Sequence, residues 1–72
     1  MSKIDKKIQE HKNELLIIEE EIKQIKADFD KENASGKKTQ ALQSMQKIMV
    51  LKDKSLFHRS AILVLEDVKN DP

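Results

Sequence analysis

Few residues in this chain could do chemistry, and they fall in four places. His11 stands between Glu10 and Glu14, a setting that would suit a metal ligand or a pH-sensing imidazole. The competing reading is a polar residue tolerated in a helical seam, where it helps to set register. A carboxylate-bridged metal centre would need repeated Glu-x-x-His units on facing helices, and the chain has none. His58 lies beside Arg59, a pair that could favour an anionic partner; singly, His58 reads as an exposed helix residue. Glu19, Glu20 and Glu21 form a short acidic run, read as a solvated face matched by Lys23 and Lys26 at helical spacing. Gly36-Lys37-Lys38-Thr39 is not a phosphate cradle, because it lacks the first glycine of a P-loop and a preceding strand. No nucleophile stands with a base and no carboxylates are paired on a concave frame. The expectation is therefore a protein that is not an enzyme, with no cofactor and no metal.

The elements that must position these residues are helical. The 72 residues include one Gly, one Pro, no Cys, no Trp and no Tyr, and 38% are charged. Such a composition favours helix and offers no disulfide or thiolate metal site. A chain this small rarely holds a folded monomer without staples, so self-association as a homodimer is expected. Net charge is +1, with −2 over residues 1–34, +5 over 35–65 and −2 over 66–72. The opposite signs favour pairing of the two halves. The N-terminus has no apolar signal-like stretch, and no apolar run reaches the roughly 20 residues that span a bilayer. A cytoplasmic protein with no membrane contact is expected.

From Ile4 to Phe29, seam residues recur in steps of four and three: Ile4, Ile8, His11, Leu15, Ile18, Ile22, Ile25 and Phe29. That is a heptad repeat, and it predicts helix 1 over about residues 3–31. Leu16 and Ile17 broaden the seam at its middle. Ser2 is the expected N-cap, with Asp5 completing an acidic variant of the capping box. A turn over 32–38 follows, where Gly36 or Asn33 can take the left-handed conformation and Ser35 or Thr39 can cap the next helix. Helix 2 is expected over about 39–69. Leu42, Met49, Leu56 and Leu63 recur every seven residues, with Met45 in the first intervening slot and Ala41, Ile48 and Ile62 flanking the row. Lys52 and Arg59 occupy the next intervening slots. A kink near 53, capped by Asp53 or Ser55, is the alternative to a continuous helix; the absence of Gly and Pro favours continuity. The fold class is all-α: one domain over 1–72, an antiparallel helical hairpin that dimerises through coiled-coil-like packing. Its hairpin or dimer seam combines the eight residues of helix 1 with Leu42, Met45 and Met49.

Residues 55–69 are the most apolar part of the chain and read as a docking segment. Leu56, Arg59 and Leu63 fall on one side, Phe57, Ala61, Val64 and Val68 on the next, and Ile62 and Leu65 widen the stripe. Two uses fit this surface: a docking helix for another protein, or the second arm of the hairpin's own core. A basic stretch of Lys37, Lys38, Lys47, Lys52, Lys54 and Arg59 raises nucleic-acid binding as a rival. No aromatic residues interleave with it, which makes nucleic acid an unlikely partner.

A short, Cys-free, charged helical chain whose heptad arm leads to Leu56-Phe57-His58-Arg59-Ser60-Ala61-Ile62-Leu63 resembles a known family. The family is the internal scaffolding proteins with which phage satellites of the staphylococcal pathogenicity island type redirect capsid size. The resemblance implies a homodimer whose C-terminal helices bind the helper phage's major coat protein and direct small-capsid formation. It implies coat-binding residues at Leu56, Phe57, Arg59, Ile62 and Leu63. It also implies a host-cytoplasmic protein held transiently inside procapsids. A small helical adaptor, or a nucleic-acid-binding regulator of a phage or plasmid, is the alternative.

Overall fold

The computed structural model describes residues 2–71. It contains two helices, α1 (Lys3–Ala34) and α2 (Lys38–Asn70), packed as an antiparallel hairpin about 56 Å long.

The start of α1 follows from its sequence. The Ser2 hydroxyl oxygen accepts the Asp5 backbone N–H at 3.1 Å and donates its proton to the Asp5 carboxylate at 3.0 Å. One of the unpaired first-turn N–H groups is thereby satisfied, and a negative charge sits at the positive end of the helix dipole. The helix runs three residues beyond its expected end, because Lys31-Glu32-Asn33-Ala34 carries no breaker. Gly36 then ends it at φ +73°. The Lys37 N–H reaches back to the Glu32 carbonyl (2.9 Å), and the Gly36 N–H to that of Asn33 (3.2 Å). These two bonds define a Schellman motif, which needs a left-handed residue where Gly36 stands. Neither Ser35 nor Thr39 caps α2, whose N-cap is Lys37 with no side-chain hydrogen bond. Asp53 and Ser55 start no new helix either: α2 is continuous through both.

All eight expected seam residues of α1 face α2 and are buried or half-buried. The other side of the seam differs from expectation. The residues of α2 that turn inward are Ala41, Ser44, Ile48, Leu51, Ser55, His58, Ile62 and Leu65, spaced three and four apart. This is the flanking row. The heavier row of Leu42, Met49, Leu56 and Leu63 points to solvent, with 54%, 60%, 63% and 68% of each residue exposed. Met45 is exposed as well. Leu42, Met45 and Met49 are thus not part of the hairpin seam. The physical reason is fit: Ala41, Ser44 and Ser55 let α2 approach a helix already lined with Ile, Leu and Phe.

The resulting core is thin. Ile8, Ile18, Leu51 and Ile62 are its large buried residues, and among the described residues no large side chain is sealed completely from solvent. Burying each contributes about 1.5–3 kcal/mol. Ordering a residue's backbone costs about 1–2 kcal/mol, so two helices alone leave little surplus.

Candidate protein-docking surface

Four cross-helix contacts fix the register of the hairpin and hence which side chains are free. Near the open end, Lys69 pairs with Asp5. Salt-bridge and hydrogen-bond contact with Lys69, aided by Ser2, holds the Asp5 carboxyl below its ordinary value. Further along, the Nδ1 atoms of His11 and His58 lie 2.7 Å apart. Arg59 Nη2 donates to Glu19 Oε1 at 3.1 Å. Close to the turn, Ser44 Oγ donates to Glu32 Oε1 at 2.7 Å. The opposite signs of the two halves of the chain meet at Glu19–Arg59, and Asp5–Lys69 adds a second pair at the open end. Both pairs are solvent-exposed and steer register more than they add stability.

The histidine pair was hidden in the sequence. His58 is half-buried in the seam, not exposed, and it meets His11 from the opposite helix. The signal was present as the run Ser44, Leu51, His58 and Leu65, a seven-residue repeat masked by its polar members. Phe57 leans on the pair, with its ring centroid 6.2 Å from that of His11 and 5.3 Å from that of His58. Two imidazoles fall short of the three or four protein ligands of an ordinary zinc site. Among the described residues, no group of three or more His, Cys, Asp or Glu is placed to hold a metal ion.

Of the large apolar residues left exposed among the described residues, only Leu16 and Ile17 lie on α1; the rest lie on α2. On α2 most of them form two rows about 100° apart, with Gln46, Asp53 and Ser60 between them, and the second row borders the groove against α1, where Phe57 meets His11. The first is Leu42, Met49, Leu56 and Leu63. The second is Val50, Phe57 and Val64, joined at its end by Val68. Adjacent pairs therefore recur every seven residues: Met49-Val50, Leu56-Phe57 and Leu63-Val64. A helix with a heptad stripe on two sides packs against two neighbours. One neighbour is α1. Nothing in the hairpin covers the other side.

The docking residues expected from sequence are thereby divided. Leu56, Phe57 and Leu63 lie on the free surface, Phe57 and Leu63 being 64% and 68% exposed. Ile62 is a core residue at 9% exposure and is withdrawn from that surface. Arg59 is exposed but engaged with Glu19. The basic stretch is divided too: Lys52 and Arg59 lie along one flank of α2, Lys47 and Lys54 along the other, so they form no single stripe.

No protein-family model, curated protein or solved structure matches this chain. Its likeness to the phage-satellite scaffolding proteins rests on the residues quoted above. Among the described residues, no helix is long and apolar enough to cross a membrane.

Proposed function

We propose that this chain is a non-catalytic assembly protein. It pairs with a second copy through one exposed row of α2 and docks another protein through the other. One observation carries the reading: α2 keeps Ala41, Ser44, Ser55 and His58 inside and leaves Leu42, Met49, Leu56, Phe57 and Leu63 outside. A helix serving only its own hairpin would put its heavier residues in the seam. Rows of large apolar side chains left exposed on a small fold mark interaction sites.

In its specific form, taken from the family resemblance, the docked protein is the major coat protein of a helper phage and the outcome is a small capsid. The Leu42, Met49, Leu56 and Leu63 row joins the two copies. The Val50, Phe57 and Val64 row, centred on the one aromatic of α2, contacts the coat subunit; aromatic anchors dominate such interfaces. Joining two hairpins gives two docking rows per particle, which raises apparent affinity without new contacts.

Co-expression with a coat protein tests this. Phe57→Asp removes co-purification and small-shell assembly and leaves a helical dimer. Ile62→Asp unfolds the hairpin, because that side chain is core. Co-purification unaffected by Phe57→Asp sinks the docking assignment. A protein that fails to bind any coat protein, yet remains a dimer, removes the scaffolding role and keeps the self-association.

A further inference from the structure

We infer that the second copy packs along the outer row of α2 in antiparallel orientation, about a two-fold axis near Lys52 and Asp53. This rests on the self-association reading above and adds a direction to it. Unpaired charges near the two ends of α2 give that direction.

A helix carries partial positive charge at its N-terminus and partial negative charge at its C-terminus. α2 begins with Lys37 at the N-cap and Lys38 at its first position, with no acid in the first turn and no side-chain cap. Towards its other end it carries Glu66 and Asp67, just before the final residues. The basic residue of the last turn, Lys69, is engaged by Asp5. Among the described residues, Lys37, Lys38, Glu66 and Asp67 enter no salt bridge within the hairpin. The first turn of α2 is therefore charged against its dipole, and neither its lysines nor Glu66 and Asp67 are paired by α1. A second α2 running the opposite way brings Glu66 and Asp67 of that copy to Lys37 and Lys38 of this one, at both ends at once. It also sets the two helix dipoles side by side and antiparallel. A parallel partner would place lysine beside lysine and acid beside acid.

The apolar row has the same symmetry. Leu42, Met49, Leu56 and Leu63 are spaced evenly about the Lys52–Asp53 peptide. Antiparallel packing sets Leu42 level with Leu63 of the second copy, and Met49 level with Leu56 of the second copy. Lys52 and Asp53 then lie at the axis, on opposite flanks of the apolar row, each beside its own counterpart in the second copy. At the helix ends, parallel packing would instead set Lys37 and Lys38 beside their own copies. Arrangements that oppose like charges are suppressed even where each pair adds little affinity. An isologous contact of this type also closes on itself at two copies.

The chain has no cysteine, so each introduced one is the sole thiol. Gln46, Asp53 and Ser60 lie on the exposed side of α2 away from the seam and tolerate replacement. Sedimentation equilibrium of the full chain comes first, followed by treatment with a short bis-maleimide. In the antiparallel dimer Asp53→Cys links to itself. Gln46→Cys and Ser60→Cys link when mixed, and at least ~10-fold less when either is alone. The two Gln46 positions are then about 20 Å apart at 1.5 Å per residue. Charge reversal gives a second readout: Lys37→Glu with Lys38→Glu weakens the dimer, and adding Glu66→Lys with Asp67→Lys restores it. Self-linking of Gln46→Cys or Ser60→Cys alone overturns the orientation. A sedimenting dimer in which no combination links places the interface elsewhere and overturns it too. A chain that sediments as a monomer overturns the self-association reading itself.

Discussion

The Nδ1 atoms of His11 and His58 lie 2.7 Å apart, and at that distance one ring must donate and the other accept. The bond spans the two helices, so removing either ring leaves the other half-buried without its partner. His11→Ala and His58→Ala are each expected to cost about 1 kcal/mol of hairpin stability. The double variant should cost less than the sum, by at least ~0.5 kcal/mol. Urea unfolding of the three variants measures this, and strictly additive losses would show that the rings do not interact. Asp5 offers a pH readout. Lys69 and Ser2 hold its carboxyl below the ordinary value, so its contribution is present at neutral pH. That contribution is lost only as pH falls below about 4, through the lowered value. Asp5→Asn should therefore narrow the stability difference between neutral and strongly acid solution, by a small amount because the pair is exposed. An unchanged acid response would assign no role to this pair.

At the scale of elements, α1 was legible almost residue by residue, because Ile, Leu or Phe fills every seam slot except that of His11. The inner seam of α2 was not. It holds Ala41, Ser44, Ser55 and His58, residues that hydropathy discounts, while the larger Leu42, Met49, Leu56 and Leu63 repeat one position further on. Both rows obey the same seven-residue period, so periodicity alone could not say which faced α1. Shape decided it, since small residues permit the close approach that bulky α1 demands. The docking residues were legible in part for the same reason: Phe57 and Leu63 belong to the free rows, and Ile62 to the hidden one. The turn makes its own prediction. A Cβ at Gly36 would meet no atom within 4 Å, so only the positive φ opposes a side chain there. Gly36→Ala should cost about 1–2 kcal/mol, the penalty of the left-handed conformation, and leave the helices intact by circular dichroism. Unchanged thermal stability would mean that the Schellman turn is dispensable.

For the whole molecule, the decisive feature is the mismatch between a thin inner seam and a rich outer face. Two helices with four large buried residues provide little stability of their own. Covering Leu42, Met49, Leu56 and Leu63 with a second copy would enlarge that core, and would leave the Phe57 row free for a different protein. The most direct test of this account is sedimentation equilibrium on the full chain and on Leu56→Glu/Leu63→Glu, with circular dichroism of both. The account predicts that the unaltered chain is a dimer and that the variant is a helical monomer of lowered stability. An unaltered chain that sediments as a stable monomer, or a variant that remains a dimer, would contradict it.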